Sequence, residues 1–110
     1  MPVRVVTRDD VVIIGVQGRL DAVTAPAFDR EVESVLADTP TKVLIDGTGL
    51  DYISSAGLRS ILALAKKLQA GGGRLALCGL SGLVREIFEM AGLHTMLTIC
   101  RDEAEARSRL

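Results

Sequence analysis

Residues 41–68 have the sequence TKVLIDGTGLDYISSAGLRSILALAKKL, and this stretch decides the fold. Its first part, TKVLID, is a mostly apolar run that is typical of a β-strand, and GTGLDYI is a glycine-bearing loop. The apolar residues that follow recur at the spacing of one helical face, at Leu58, Ile61, Leu62, Ala65 and Leu68. Ser54 falls where the N-cap of this helix belongs, so Ser55 is its first residue. The stretch therefore predicts a strand, a loop and an amphipathic helix.

The alternation of strands and helices continues on both sides of this stretch. Upstream, VRVVT and VVIIGVQG predict two strands joined by the polar turn RDD, and the nearly all-apolar second strand suits the centre of a sheet. Thr24 and Pro26 suit the start of a helix, with Thr24 as its N-cap, and Pro40 ends that helix. Downstream, the segments AGGG, RLALCG, LSGLVREIFEM, MLTI and RDEAEARSRL predict a helix stop, a strand, a helix, a strand and a final helix.

The predicted order of elements is therefore ββαβαβαβα. Strands that alternate with helices favour right-handed crossovers and mostly parallel pairing. We expect an α/β fold with a mixed, mostly parallel sheet and with the helices packed on one face. The 110 residues have the length of one domain, with no linker or repeat, so we predict a single domain over residues 1–110.

Composition and charge exclude several classes of protein. Hydrophobic residues make up 48% of the chain and charged residues 25%, which is typical of a globular domain. The formal net charge of −1 gives no reason to expect nucleic acid or a membrane as a partner. No apolar run approaches the ~20 residues of a membrane span, and the N-terminus lacks the apolar region of a secretory leader, so we expect a cytoplasmic protein. Cys78 and Cys100 lack metal-site or redox-motif spacing, and we expect no cofactor.

The two adjacent serines have three possible roles. Both can serve only to cap the helix, which is the commonest use of serine at such a position. Alternatively, Ser55 is phosphorylated, because a helix N-terminus tolerates the roughly −1.5 to −2 charges of a phosphoserine, so that the fold survives while the surface charge changes. A nucleophilic serine would need a base, but the one histidine, His94, follows the third helix, and no G-x-S-x-G motif surrounds Ser55. We therefore expect no enzymatic activity, and we leave capping and phosphorylation open.

Two carboxylates are placed near the ends of predicted strands. If the strands before Asp21 and Asp46 are parallel neighbours, both side chains lie at the edge of the sheet where the Ser55 helix begins. Such a pair is either part of a polar rim or a weak Mg²⁺ site, and two carboxylates without further ligands give no basis for predicting a metal site. The AGGG segment is not a phosphate-binding loop, because it leaves a helix and enters a strand.

Three segments resemble the STAS domain of bacterial anti-sigma factor antagonists. GRLDAVTAPAF resembles the G-x-L-D-x-x-x-A-P segment of that family, and KVLIDGTGLDYISSAGLRSIL resembles its strand, Asp, loop and serine-bearing helix start. GGGRLALCGLSGLVREIFEMAGLHTMLTI resembles the later strand, helix and strand, so that the resemblance covers nearly the whole chain. The family's common D-S-S-G motif corresponds to residues 54–57, with Ser54 in place of the Asp and Ala56 in place of the second serine.

This resemblance implies a phosphorylation-controlled binding protein. Such antagonists bind an anti-sigma factor, usually a serine kinase of the GHKL ATPase type, and thereby release a sigma factor. The kinase phosphorylates the serine that corresponds to Ser55, and a PP2C-type phosphatase reverses the modification. We assign partner binding to eight residues, on the basis of the resemblance and of their expected positions around Ser55. They are Asp21, Thr24, Asp46, Ser54, Ser55, Gly57, Leu58 and Arg59. The alternative is a STAS-domain scaffold or a transporter-associated regulatory subunit that does not act on a sigma factor.

Overall fold

The computed structural model describes residues 3–110, which form seven strands and four α-helices around one main sheet. In chain order the elements are β1 (Val3–Arg8), β2 (Val11–Val16), β3 (Gly18–Leu20), α1 (Ala25–Leu36), β4 (Lys42–Asp46), β5 (Leu50–Ile53), α2 (Ser55–Ala70), β6 (Arg74–Cys78), α3 (Gly82–Met90), β7 (Thr98–Cys100) and α4 (Glu103–Ser108). A 3₁₀ turn at Leu93–Thr95 precedes β7. The predicted domain, residues 1–110, includes residues 1 and 2, which lie outside the described residues.

The main sheet has five strands in the order β1-β2-β4-β6-β7. Only β1 is antiparallel to its neighbour, and the pairs β2–β4, β4–β6 and β6–β7 are parallel. The two residues of the β1–β2 turn, Asp9 and Asp10, have φ values of 51° and 62°, as a hairpin turn of the I′ type requires. The predicted hairpin and the mixed, mostly parallel sheet are both confirmed.

Two short strands that the sequence did not predict form a second, two-stranded sheet. β3 and β5 pair in parallel, with Arg19 opposite Tyr52 and Leu20 opposite Ile53. The prediction placed both segments in loops, because strands of three and four residues are too short for an alternating pattern to be visible. Leu20 and Ile53 are buried, so this small sheet continues the apolar core beyond the edge of the main sheet.

The helices lie on both faces of the main sheet, so the prediction that all of them pack on one face is wrong for α4. Helices α1, α2 and α3 share one face, where Phe28, Ile61 and Phe88 pack against Ile14, Ile45 and Leu77 of the strands. On the other face, Ala106 of α4 packs against Leu44, Ala76, Cys78 and Cys100. Helix α4 has only six residues, which is too few for the spacing of apolar residues to show which face of the sheet the helix covers. Because α4 covers Cys78, burial raises the pKa of this thiol to about 11.

None of the helices within residues 3–110 has both the length and the apolar character that crossing a membrane requires.

Candidate functional site at the start of helix α2

The start of α2 is built by its two serines. Ser54 has the extended backbone of an N-cap residue, and its Oγ accepts a hydrogen bond from the N–H of Gly57 at 3.4 Å. Its own N–H donates to the carbonyl of Leu20 at 2.9 Å, which ties the helix start to the end of β3. Ser55 is the first residue of the helix and is exposed. The predicted cap at Ser54 and the predicted exposure of Ser55 at a helix N-terminus are therefore confirmed.

Gly57 lets α2 lie directly against the small sheet. A Cβ atom at this position would lie 2.5 Å from the carbonyl oxygen of Leu20 and 2.7 Å from Cγ1 of Ile53. Real Cβ contacts are not that short, so any other residue would push the helix start away from β3 and β5. Gly57 is buried, and it sets the position of Ser54 and Ser55 through packing.

Asp21 organises the loop that lies beside this helix start. Its Oδ1 accepts hydrogen bonds from the N–H groups of Val23 at 3.0 Å and Thr24 at 3.2 Å. The N–H of Thr24 lowers the pKa of Asp21 below its ordinary value of 3.8, and the N–H of Val23 and the Arg19 side chain act in the same direction. Asp21 is thus held as a carboxylate. It directly follows Leu20, whose carbonyl accepts the hydrogen bond from the N–H of Ser54.

The predicted N-cap role of Thr24 is correct in position but not in side-chain chemistry. Thr24 precedes the first residue of α1, but its side chain makes no capping hydrogen bond to that helix. Instead, Thr24 Oγ1 donates to the carbonyl of Arg19 at 2.8 Å and accepts from the N–H of Asp21 at 2.9 Å. The hydroxyl therefore closes the loop between β3 and α1.

Arg19 and Tyr52 lie next to the Asp21 loop, although the sequence analysis did not select them as candidate site residues. The guanidinium of Arg19 lies 4.4 Å from the centre of the Tyr52 ring, and its Nε lies 3.4 Å from Asp21 Oδ2. The two residues are direct partners in the β3–β5 pairing, which places their side chains on the same face. Recognising both strands in the sequence would have found this contact.

Arg59 lies one helical turn after Ser55, on the wall of a groove between α1 and α2. The groove has a volume of about 450 Å³. Asp29 and Glu33 line its α1 side, while Arg59 and Lys67 line its α2 side. Leu58, which precedes Arg59, is half-buried and packs against the main core.

The predicted pair of carboxylates depended on parallel pairing between the strands before Asp21 and Asp46, and these two strands belong to different sheets. Asp46 ends β4 of the main sheet, whereas Asp21 follows β3 of the small sheet. Asp46 Oδ1 accepts hydrogen bonds from Oγ1 of Thr48 at 2.6 Å and from its N–H at 3.0 Å. Strand β5 then connects this turn to Ser54 and the start of α2.

His94 is exposed and lies in the 3₁₀ turn that leads into β7. This turn is at the amino end of the parallel strands, whereas α2 begins beyond their carboxyl ends. The histidine and Ser55 are therefore at opposite ends of the sheet, and His94 has no position from which to act as a base for Ser55.

The architecture and the serine-bearing helix start agree with a known family. The family model described as the STAS domain matches residues 2–106. This chain therefore belongs to the STAS domain family, as the resemblance predicted.

Several relatives and solved structures are similar to the chain. BtrV of Bordetella bronchiseptica, whose name describes it as an anti-sigma factor antagonist, is 35% identical over 89% of this chain and 84% of its own length. The crystal structure of an anti-sigma factor antagonist from Mycobacterium paratuberculosis has a TM-score of 0.90 at 27% identity, over 98% of this chain and 92% of the other. The Bacillus protein SpoIIAA in its phosphorylated form shares the fold, with a TM-score of 0.73 at 22% identity over 98% of both chains.

Proposed function

We propose that this chain is an anti-sigma factor antagonist whose binding surface surrounds the start of α2 and is switched off by phosphorylation of Ser55. One observation carries the proposal. Ser54 provides the helix cap, so the hydroxyl of Ser55 is exposed and has no capping role to lose. Membership of the STAS family and similarity to proteins named anti-sigma factor antagonists support this reading.

The proposed partners follow from the family resemblance. The anti-sigma factor is a serine kinase of the GHKL ATPase type, which phosphorylates Ser55, and a PP2C-type phosphatase removes the phosphate. A solved phosphorylated form of SpoIIAA, which has the same fold, supports a modification that leaves the fold intact. The chain itself acts as a regulatory binding protein and does not hydrolyse substrates, since His94 is far from Ser55.

The binding surface consists of the residues around Ser55 that reach solvent. Asp21 and Thr24 hold the neighbouring loop, and Arg59 extends the surface along α2 towards the groove with α1. Leu58 and Gly57 support the surface from below by packing, and Asp46 holds the turn at Thr48 that leads into β5.

Electrostatics explains how the phosphate acts. A phosphoserine at position 55 adds roughly −1.5 to −2 charges beside the carboxylate of Asp21. The helix N-terminus tolerates this charge in the free protein, because its unpaired N–H groups and the helix dipole favour an anion. In the complex the same charge must be desolvated within an interface, where each ~1.4 kcal/mol of unfavourable energy lowers affinity tenfold.

A binding titration tests the proposal. The GHKL-type kinase that co-purifies with the tagged chain is titrated with the wild type, with enzymatically phosphorylated protein and with Ser55→Asp. Ser34→Asp is the matched control, because Ser34 is an exposed helical serine on α1 and gains the same charge. We expect the phosphorylated protein to bind at least about tenfold more weakly, whereas Ser34→Asp changes affinity by less than about twofold.

Two results would contradict the proposal. If the unmodified and the fully phosphorylated proteins bind the kinase with equal affinity, phosphorylation of Ser55 does not act as a switch. Co-purification with a scaffold complex or a transporter, and with no anti-sigma factor, would instead support the alternative function of a STAS-domain scaffold or transporter-associated subunit.

A further inference from the structure

A row of three paired residues crosses the main sheet at the carboxyl ends of β2 and β4. Arg4 of β1 pairs with Gly15 of β2, and Gly15 pairs with Asp46 of β4. Directly paired residues on neighbouring strands project to the same face of a sheet, so the three positions share one face. Because Gly15 has no side chain, the row contains a gap between a cationic and an anionic side chain.

The gap opens into a cavity of about 370 Å³. This volume lies within the ~300–1,000 Å³ range of small-molecule sites. The lining residues include Arg4, Gly15, Gln17, Asp46, Thr48 and Gly49. Val11 and Ile13, on the same face of β2, are buried, whereas Gly15 is half-buried and Arg4 is exposed, so the apolar cover of this face ends before the row is reached.

The two charges in the row are available to a ligand. Asp46 uses Oδ1 to accept both hydrogen bonds from Thr48, and Oδ2 takes part in no hydrogen bond within residues 3–110. None of the ion pairs in that part of the chain involves Arg4 or Asp46. An occupant that complements both side chains must carry an anionic group for Arg4 and a cationic group for Asp46.

The spacing of the strands limits the size of that occupant. Two inter-strand distances of ~4.8 Å separate the backbones of Arg4 and Asp46 by roughly 10 Å. With both side chains perpendicular to the sheet, their charged ends keep this separation, and two charge-assisted hydrogen bonds of ~2.8 Å leave roughly 4 Å for the ligand's own charged groups. Such a short separation favours an α-amino acid over a zwitterion with a longer spacer.

We propose that this cavity is a second binding site, which takes a free α-amino acid with its carboxylate on Arg4, its ammonium group on Asp46 and its α-carbon over Gly15. The proposal does not depend on the Ser55 switch, because β5 separates the two sites and the binding of a small molecule is measured without the protein partner.

Titration of the ¹⁵N-labelled full chain with L-alanine tests this site. Alanine is added to about 10 mM, which is ten times the ~1 mM dissociation constant of a weak ligand. We expect saturable shifts of the amide signals of Gly15, Thr48 and Gly49. Acetate and ethylammonium, each of which carries only one of the two charges, are added separately and should bind at least about tenfold more weakly, since each satisfies one side chain of the pair.

Three variants identify the source of the shifts. Asp46→Asn keeps an oxygen for the hydrogen bonds from Thr48 but removes the charge, and Arg4→Gln removes the other charge at an exposed position. Gly15→Val fills the gap; its Cβ would lie 3.7 Å from the carbonyl oxygen of Arg4, an ordinary contact, so the strand is expected to fold. We expect each variant to weaken the binding of alanine at least about tenfold. Asp46→Asn and Arg4→Gln each lose one charged contact, whereas Gly15→Val occupies the space of the α-carbon.

Several results would overturn the proposal. These are the absence of saturable shifts with alanine, equal binding of alanine by Gly15→Val, and binding of acetate that is as tight as binding of alanine. The last result would indicate a simple anion contact at Arg4. If Asp46→Asn does not fold, Arg4→Gln and Gly15→Val decide the question.

Discussion

Helices α2 and α3 both begin with a serine whose hydroxyl caps the helix. Ser54 Oγ accepts from the N–H of Gly57 at 3.4 Å, and Ser81 Oγ accepts from the N–H of Val84 at 3.3 Å. Both serines have extended backbones, with ψ values of 177° and 163°. The two caps are almost the same, although the proposed phosphorylation site lies at the start of α2. Capping geometry therefore does not by itself mark such a site.

The surroundings of the two helix starts differ. At α2, Gly57 is buried against Leu20 and Ile53, and the Asp21 loop lies alongside. At α3, a Cβ atom added to the first residue, Gly82, would meet no heavy atom within 4 Å. The start of α2 is thus packed against the small sheet. Its first residue, Ser55, is a serine whose hydroxyl does not cap the helix. This difference leads to four predictions.

The largest effect is expected from adding one methyl group to each helix start. Gly57→Ala forces a Cβ to within 2.5 Å of the Leu20 carbonyl oxygen, and overpacking of this kind costs about 1–3 kcal/mol or more. Gly82→Ala meets open space and should leave the free energy of unfolding unchanged or slightly raised, by at most about 1 kcal/mol. Urea unfolding of both variants measures the difference. Equal stability of the two variants would show that the packing of α2 against β3 is looser than described.

Removal of the two caps should give equal effects. Ser54→Ala and Ser81→Ala each remove one hydroxyl that accepts a hydrogen bond from the helix, which typically costs about 1 kcal/mol. The two losses should add in the double variant, because the caps serve different helices. Urea unfolding of the three variants tests this. A much larger loss for Ser54→Ala would mean that Ser54 stabilises the fold through more than its cap.

A charge placed at the first residue of each helix should sharpen the comparison further. At α3, Gly82→Asp should be more stable than Gly82→Lys by about 1 kcal/mol, because the helix dipole favours an anion at its N-terminus. At α2, the advantage of Ser55→Asp over Ser55→Lys should have the same sign but be smaller, because Asp21 follows Leu20, whose carbonyl accepts a hydrogen bond from Ser54. Thermal melting of the four variants measures both differences. Unfolding of Ser55→Asp would contradict the expectation that a phosphate at this position leaves the fold intact.

The long elements of this fold could be predicted from the sequence, and the short ones could not. The apolar spacing of Leu58, Ile61 and Leu68 indicated helix α2, and the serines marked its first residue. The three and four residues of β3 and β5 carry too little pattern to be recognised.

Failure to recognise the small sheet had consequences for the candidate site. Without β3, the strands before Asp21 and Asp46 could be taken as parallel neighbours, whereas the structure has them in different sheets. The contact between Arg19 and Tyr52 was overlooked for the same reason. The position of α4 was missed because one small residue, Ala106, makes its buried contact, and a single apolar residue gives no direction. Local chemistry at a helix start is thus visible in a sequence, but the partners supplied by short strands are not.

The smallest effect concerns the loop that distinguishes α2 from α3. The pKa of Asp21 is lowered in the folded chain, chiefly by the N–H of Thr24, so ionised Asp21 stabilises the folded state. This stabilisation is fully present above the pKa of ~3.9 that an Asp has in the unfolded chain, and it is lost as the pH falls through the lower folded pKa.

Asp21→Asn keeps an oxygen that can accept hydrogen bonds from the N–H groups of Val23 and Thr24, but its side chain cannot ionise. The wild type should therefore be more stable than Asp21→Asn at pH 7, and the difference should shrink in acid. Urea unfolding of both proteins at several pH values measures it; a difference that grows below pH ~4 would show that the carboxylate is protonated more readily in the folded chain than in the unfolded one.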